Sequence, residues 1–466
     1  MKNIQEIIKQ SGIKFGTSGA RGLVCDFTPE VCTAFTLSFL DAMKKKFDFK
    51  KVAVAMDNRP SSPEIAGIVC ANLEACGFEV DFYGVLPTPA LALQAIRDTI
   101  PSIMITGSHI PFDRNGIKFY TPVGEITKAD EIEIINNSNQ IISIKSNLPK
   151  TKESATKNYM NRYANFFGSN CLSGLKIGIY EHSSAGRDLY AELFTTLGAE
   201  VNSLGRTNEF VPIDTEAVTD IDKQRAKDWS KEYNFDLIFS TDGDGDRPLI
   251  ADENGDWLRG DIVGLLTAQI LKIEALAVPV SCNTAIEKSG FFKVVRRTRI
   301  GSPYVIEAFD ELEAYKSFAG FEANGGFLLG STLKYDGNEL DALPTRDALL
   351  PLVVLASFIA KEKVSLSKLT QSLPVRFTSS DRIQNFPLED SKKLLEKGAS
   401  SPQTLLKSFG LENLKAVDIN QIDGLRLTLN DGVIVHLRPS GNAPELRCYV
   451  ETNSQEKSDN LVKQVL

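Results

Sequence analysis

Three aspartates separated by single glycines, Asp242, Asp244 and Asp246 in FSTDGDGDR, are the residues of this chain whose spacing most directly implies chemistry. In a looping backbone, i, i+2, i+4 spacing turns three carboxylates onto one hard cation. Magnesium accepts such oxygen ligands and keeps positions open for a phosphate oxygen. A calcium loop is the competing reading, because counting Asp242 as position 1 puts Glu253 at position 12. Position 6 is Arg247, where a calcium loop needs glycine. Pro248 follows, and a strand pattern rather than a helix comes before the loop. The spacing favours magnesium.

Three further loops carry groups that suit phosphate and sugar. Ser108 follows an apolar run and a glycine in ITGSHIPFDRNGIKFY, the position at which an open α/β sheet presents reactive groups. A serine hydroxyl needs a base, a cation or a metal to act as a nucleophile, and His109 is adjacent in sequence. Glu322 and Asn324 lie two apart in the glycine-rich AGFEANGGFLLG, where both side chains can reach vicinal sugar hydroxyls. In HLRPSGNAPELRCYVE, Arg438, Ser440, Gly441, Asn442 and Arg447 combine guanidinium, hydroxyl and free backbone N–H groups, which suit the oxygens of a phosphate. Taken singly, each of these three loops also reads as an ordinary turn.

The elements that must position these loops are legible as alternating patterns. KKVAVAMD reads as a buried strand, PEIAGIVCANLEACG as a helix stopped by Gly77, FEVDFYG as a strand, PALALQAIRD as a helix and IPSIMITG as a strand. Strands separated by helices of this length imply crossover units and a mainly parallel sheet. The cycle repeats through GLKIGIY, RDLYAELFTTLG, AEVNSL, TDIDKQRAKDWSKEYN and FDLIFSTDG. A third cycle begins with GDIVGLLTAQILKIEAL, read as a helix, and AVPVSC, read as extended. The last hundred residues differ: Asp-Gly pairs at 423–424 and 431–432 punctuate alternating apolar strands, the pattern of antiparallel hairpins with helices on one side. The expected fold is α/β: three similar mixed-sheet α/β domains plus a C-terminal α+β domain around a central cleft. The boundaries fall in polar stretches, giving domains 1–150, 151–256, 257–372 and 373–466, which carry the serine, acidic, Glu-Asn and Arg-Ser loops in that order.

Composition bounds the partners. With 466 residues, 42% hydrophobic and 24% charged, the chain has ordinary globular composition and length for several domains. Its formal net charge of −8 argues against nucleic-acid binding, which relies on basic surface. Any phosphate must be held by a few local cations. No apolar run is long enough for a membrane span, and the start lacks the layout of a signal peptide. The seven scattered cysteines contain no C-x-x-C pair and suit reduced thiols in a cytoplasmic protein.

Together the four loops resemble the α-D-phosphohexomutase family along essentially the whole chain. KFGTSGARG at 14–22 is similar to the family's opening segment and implies that Arg21 reaches the active cleft. TGSHIPFDRNGIKF is similar to the family's phosphoserine loop and matches it at Ser108, His109, Pro111, Asn115, Gly116 and Lys118. The metal loop is matched in full by Asp242 to Arg247, and the phosphate loop at Arg438, Pro439, Ser440, Gly441 and Pro444. There are departures. Ile110 stands where the family usually has Asn, Asn324 and Gly326 replace the serine and histidine of the sugar loop, Ser302 stands where some members carry a second histidine, and Asn442 and Ala443 replace a Thr-Glu pair.

The resemblance implies a mutase that interconverts hexose 6-phosphate and hexose 1-phosphate, with phosphomannomutase first and phosphoglucomutase or phosphoglucosamine mutase as alternatives. It implies Ser108 as phosphoserine and, with Asp242, Asp244 and Asp246, as a ligand of Mg2+, and a hexose bisphosphate as intermediate and activator. Lys118 and Arg21 are the acid/base candidates by resemblance, with His109 a third on its chemistry. Glu322, Asn324, Arg247, Arg438, Ser440, Gly441, Asn442 and Arg447 are the substrate contacts. A metal-dependent sugar phosphatase and a non-catalytic sugar-phosphate sensor are the other readings. The expected partner is a hexose phosphate, with neither nucleic acid nor membrane, on a monomer or homodimer.

Overall fold

The computed structural model describes residues 3–16, 19–137, 146–335, 337–440 and 444–466. Its first sheet runs in the order Lys14–Phe15, Ala20–Leu23, Arg114–Thr121, Ser102–Ile105, Lys51–Met56, Glu79–Val85, with Gly124–Glu125 added beside Arg114–Thr121. The three strands joined by helices Ser62–Ala75 and Thr88–Asp98 pair in parallel, and the rest pair antiparallel. The run KVAVAM is apolar at successive positions because both faces are covered. Val52 and Val54 pack into the cluster of helices Pro29–Lys44 and Ser62–Ala75, while Ala53 and Ala55 turn to the opposite cluster.

The second sheet, ordered Pro248–Ala251, Leu237–Thr241, Lys176–Tyr180, Glu200–Leu204, repeats this plan: three parallel strands and one antiparallel edge. The third places Val294–Thr298, Ala275–Pro279 and Phe318–Phe321 in parallel, followed by antiparallel Phe327–Leu329 and Leu343–Asp347. Here one expected element is shorter than its sequence pattern. The helix starting at Gly260 ends at Ile270, Lys272 takes a left-handed φ of 55°, and Ala275 already belongs to a strand. The continuous apolar run hid this break, since periodicity does not separate a buried helix from a buried strand.

The C-terminal sheet is antiparallel throughout, in the order Phe377–Gln384, Glu445–Thr452, Ile434–Pro439, Leu425–Leu429, Ala416–Asn420. Both Asp-Gly pairs sit in its hairpins, between Ala416–Asn420 and Leu425–Leu429 and between Leu425–Leu429 and Ile434–Pro439. The architecture is therefore the expected α/β one, three mixed sheets and an α+β unit. The largest apolar cluster runs without a break from the first sheet through the third. The C-terminal unit has a cluster of its own around Leu427, Val435, Val450 and Leu461. None of the seven cysteines is paired, and no helix among the described residues is long and apolar enough to cross a membrane.

Candidate active site

The ends of successive strands converge on one cavity. Ser108 follows strand Ser102–Ile105, the acidic loop follows Leu237–Thr241, and Glu322 follows Phe318–Phe321. Ser108 is fully buried and left-handed, with φ 55°, a conformation costly for a residue with a Cβ and found where the surroundings enforce it. Its N–H donates to Thr106 Oγ1 at 2.8 Å and its carbonyl accepts from Arg59 Nη2 at 2.8 Å.

Arg59, which sequence motifs did not single out, holds the whole loop. Its Nε donates to Asp57 Oδ2 at 3.1 Å, Nη1 to the carbonyls of Pro111 and Arg114 at 2.7 and 2.9 Å, and Nη2 to those of Ser108 and Ile110 at 2.8 and 2.6 Å. All five guanidinium N–H groups are thus used, and the ring of Phe210 covers the guanidinium at 4.0 Å.

The serine hydroxyl donates to Asp242 Oδ2 at 2.7 Å, which joins the serine loop to the acidic loop. Gly243 makes this approach possible, because a Cβ there would lie 2.7 Å from the Ser108 carbonyl oxygen. The three aspartates are buried, and each offers one carboxylate oxygen within 4.8 Å of the others. Asp244 Oδ1 and Asp246 Oδ1 are buried with no hydrogen-bond partner among the described residues. Orphaned carboxylate oxygens in an all-oxygen set fit a hard divalent cation, so the triad suits a metal. Burial and the neighbouring charges of Asp244 and Asp246 push Asp242 well above the usual carboxylate range. Burial acts on Asp244 in the same sense, yet Lys118, Thr88 and Arg346 outweigh it and hold its carboxyl below that range.

Cations from the first and third sheets close over this charge. Lys118 Nζ bonds both Asp244 Oδ2 and Asp246 Oδ2, the latter at 2.8 Å, and Thr88 Oγ1 donates to Asp244 Oδ2 at 2.6 Å. Arg346, at the end of strand Leu343–Asp347, donates through Nε to Asp246 Oδ2 at 3.1 Å and through Nη1 to Glu322 Oε2 at 3.2 Å. It ties the acidic loop to the sugar loop, and no motif pointed to it. Arg59 shares one legible signal with Ser108: each is a polar group just beyond an apolar strand.

Arg247 Nη1 donates to His109 Nδ1 at 2.8 Å. Burial, then Arg247 and Arg21, lower the His109 pKa to about 2, so this imidazole is neutral with one ring nitrogen already accepting. That arrangement suits a hydrogen-bonding wall better than a proton acceptor. Arg21 is pushed down to about 10 by burial and by Arg247 and Arg346.

A cavity of about 700 Å³ opens above these groups, lined on one side by Arg21, His109, Arg247, Glu322, Asn324 and Arg346. Arg438, Ser440 and Arg447 line it from the C-terminal sheet. The structure thus brings these nine residues around one space, while Ser108, Lys118 and the aspartates are buried and do not line it. Asn324 is partly engaged, accepting from Gly326 N–H at 2.9 Å and donating to Glu322 at 3.4 Å. Ser302 turns away from sugar chemistry and donates to Glu125 Oε2 at 2.8 Å. The predicted contacts Gly441 and Asn442 lie outside the described residues.

Comparison with known proteins points the same way. Models of three phosphoglucomutase/phosphomannomutase domains match: alpha/beta/alpha domain I at residues 12–145, alpha/beta/alpha domain III at 259–377 and the C-terminal domain at 385–466. A phosphomannomutase of Salmonella muenchen is 54% identical over 470 residues, covering 100% of this chain and 98% of the relative. Another from Sinorhizobium fredii is 42% identical, covering 98% of each. The crystal structure of a phosphoglucomutase/phosphomannomutase family protein from Burkholderia thailandensis superposes with a TM-score of 0.75 at 20% identity, covering 98% of this chain and 97% of that one.

Proposed function

Because this chain belongs to the phosphoglucomutase/phosphomannomutase family, we propose that it interconverts mannose 6-phosphate and mannose 1-phosphate through a phosphoserine at Ser108. The observation that carries this reading is the 2.7 Å bond from Ser108 Oγ to Asp242, with Ser108 next to His109, which lines the same cavity as Arg438, Ser440 and Arg447. A nucleophile beside the cavity and a phosphate clamp in its lining suit a hexose that carries phosphate at one end and offers a hydroxyl at the other. The relatives at 54% and 42% identity, both phosphomannomutases, favour mannose over the glucosamine phosphate of relatives at 27%.

In this mechanism Arg438, Ser440, Asn442 and Arg447 hold the substrate's phosphate, and Glu322 and Asn324 receive its hydroxyls. The free hydroxyl attacks the phosphorus of phosphoserine 108, the bond from phosphorus to Ser108 Oγ breaks, and a hexose bisphosphate forms. After the sugar turns over, the return step breaks the other phosphate ester and rebuilds the phosphoserine. Lys118 is assigned the proton transfer, with Arg21, Arg247 and Arg346 offsetting charge on the moving group. Mg2+ held by Asp242, Asp244, Asp246 and a phosphoserine oxygen would further neutralise that charge. Positioning and electrostatics supply most of the rate in phosphoryl transfer.

Phosphorus NMR of the protein with mannose 1-phosphate, Mg2+ and a trace of hexose bisphosphate should show mannose 6-phosphate appearing. Ser108→Ala and chelation should each lower that rate by more than about 10³-fold. Release of inorganic phosphate, or turnover retained by Ser108→Ala, would sink the mutase reading. A faster parallel reaction with glucose or glucosamine 1-phosphate would reassign the sugar.

A further inference from the structure

The phosphate-facing Arg438 is not held by its own loop. Its Nε donates to Asp423 Oδ1 at 2.8 Å, and among the described residues its side chain has no other hydrogen-bond partner. Among the described residues, both terminal nitrogens are left for an anion. Asp423 occupies the turn between strands Ala416–Asn420 and Leu425–Leu429, and its second carboxylate oxygen reaches outside the C-terminal sheet. Oδ2 accepts from the Ile300 N–H at 2.9 Å, in the loop between strand Val294–Thr298 and helix Ser302–Glu307. Beside it, Arg299 Nε donates to the Ile422 carbonyl at 3.2 Å.

The turn itself is closely held. The Asp423 carbonyl accepts from His436 Nε2 at 2.6 Å. Gly424 is left-handed at φ 83°, and a Cβ on it would lie 2.3 Å from the Leu437 carbonyl oxygen. One carboxylate thus spans two units, with one oxygen on the arginine and the other on the backbone of the loop after strand Val294–Thr298. Next to Ile300, Gly301 and Tyr304 line the same cavity as Arg438.

We propose that Asp423 is a positioning residue that couples docking of the C-terminal unit on the Ile300 loop to presentation of the Arg438 guanidinium. A charge-assisted bond to Nε fixes the plane of the guanidinium and leaves its two-pronged edge toward the cavity. The Ile300 contact makes that orientation conditional on the two units being seated together. The inference deepens the mutase reading, since it takes Arg438 as the phosphate clamp of that reaction.

The test is calorimetric affinity for mannose 6-phosphate, measured on the full chain alongside turnover. Asp423→Ala should weaken binding and raise KM about tenfold, with kcat changed less than about threefold. Asp423→Asn keeps a single acceptor oxygen for two donors, so its affinity should fall between wild type and Asp423→Ala. In an Arg438→Ala background, Asp423→Ala should cost less than about twofold more, because the group it orients is gone. Full additivity of the two changes, or wild-type affinity in Asp423→Ala, would overturn the proposal. Such a result with mutase turnover intact would leave the function standing. Non-additive binding in a protein that releases inorganic phosphate would instead uphold the positioning role and refute the mutase.

Discussion

Removing the Arg59 side chain would strand Asp57, a buried carboxylate whose remaining partners are the hydroxyls of Ser62 and Thr106 and one backbone N–H. Loss of one partner from a buried ion pair costs on the order of 3–5 kcal/mol. Arg59→Ala should therefore lower the unfolding free energy by about that much, read from urea denaturation. Arg59→Lys restores the charge but not the planar fork that bonds four carbonyls, so stability should recover further than kcat. At this scale legibility followed sequence distance. The triad and the serine loop pack their chemistry into a few consecutive residues and were readable from spacing. Arg59 bonds a carbonyl 49 positions away and Arg346 a carboxylate 100 positions away. Only the folded chain brings such residues to their partners, and Arg346 stands in LPTRDALL without a recurring pattern around it.

Two strand ends meet at Ser108 and Gly243, and the meeting tolerates no added atom. Gly243→Ala would place a methyl group 2.7 Å from the Ser108 carbonyl oxygen, forcing the two loops apart. A displacement of about 1 Å at reacting groups can cost about 10²-fold in rate. Gly243→Ala should therefore lower kcat about that much while circular dichroism stays that of the wild type; unchanged kcat would mean that the loops separate freely. Elements of the first two cycles were legible because strands of four to seven residues alternate with helices bounded by Gly, Pro or a left-handed residue. The signal failed in the third cycle, where ILKIEALAVPV runs from helix into strand with a break marked only by the backbone of Lys272.

Across the whole molecule, one apolar cluster unites the first three sheets, and the C-terminal unit keeps a separate one. Calorimetry should therefore resolve two unfolding transitions, the smaller belonging to residues after about 377; a single two-state peak would contradict this division. The joint between the two parts is largely polar. Arg376 bonds Glu451 and the Gly432 carbonyl, Glu451 takes hydrogen bonds from Thr284, and Asn283 donates to the Arg376 carbonyl at 3.0 Å. Four units in this order were foreseeable from periodicity, but the character of their seams was not, because polar residues in a linker read alike whether they face water or each other. Groups that bond water as readily as one another let a seam part without wetting oily surface. A seam so built would part at small cost wherever the proposed reaction needs its half-finished sugar to turn end over end.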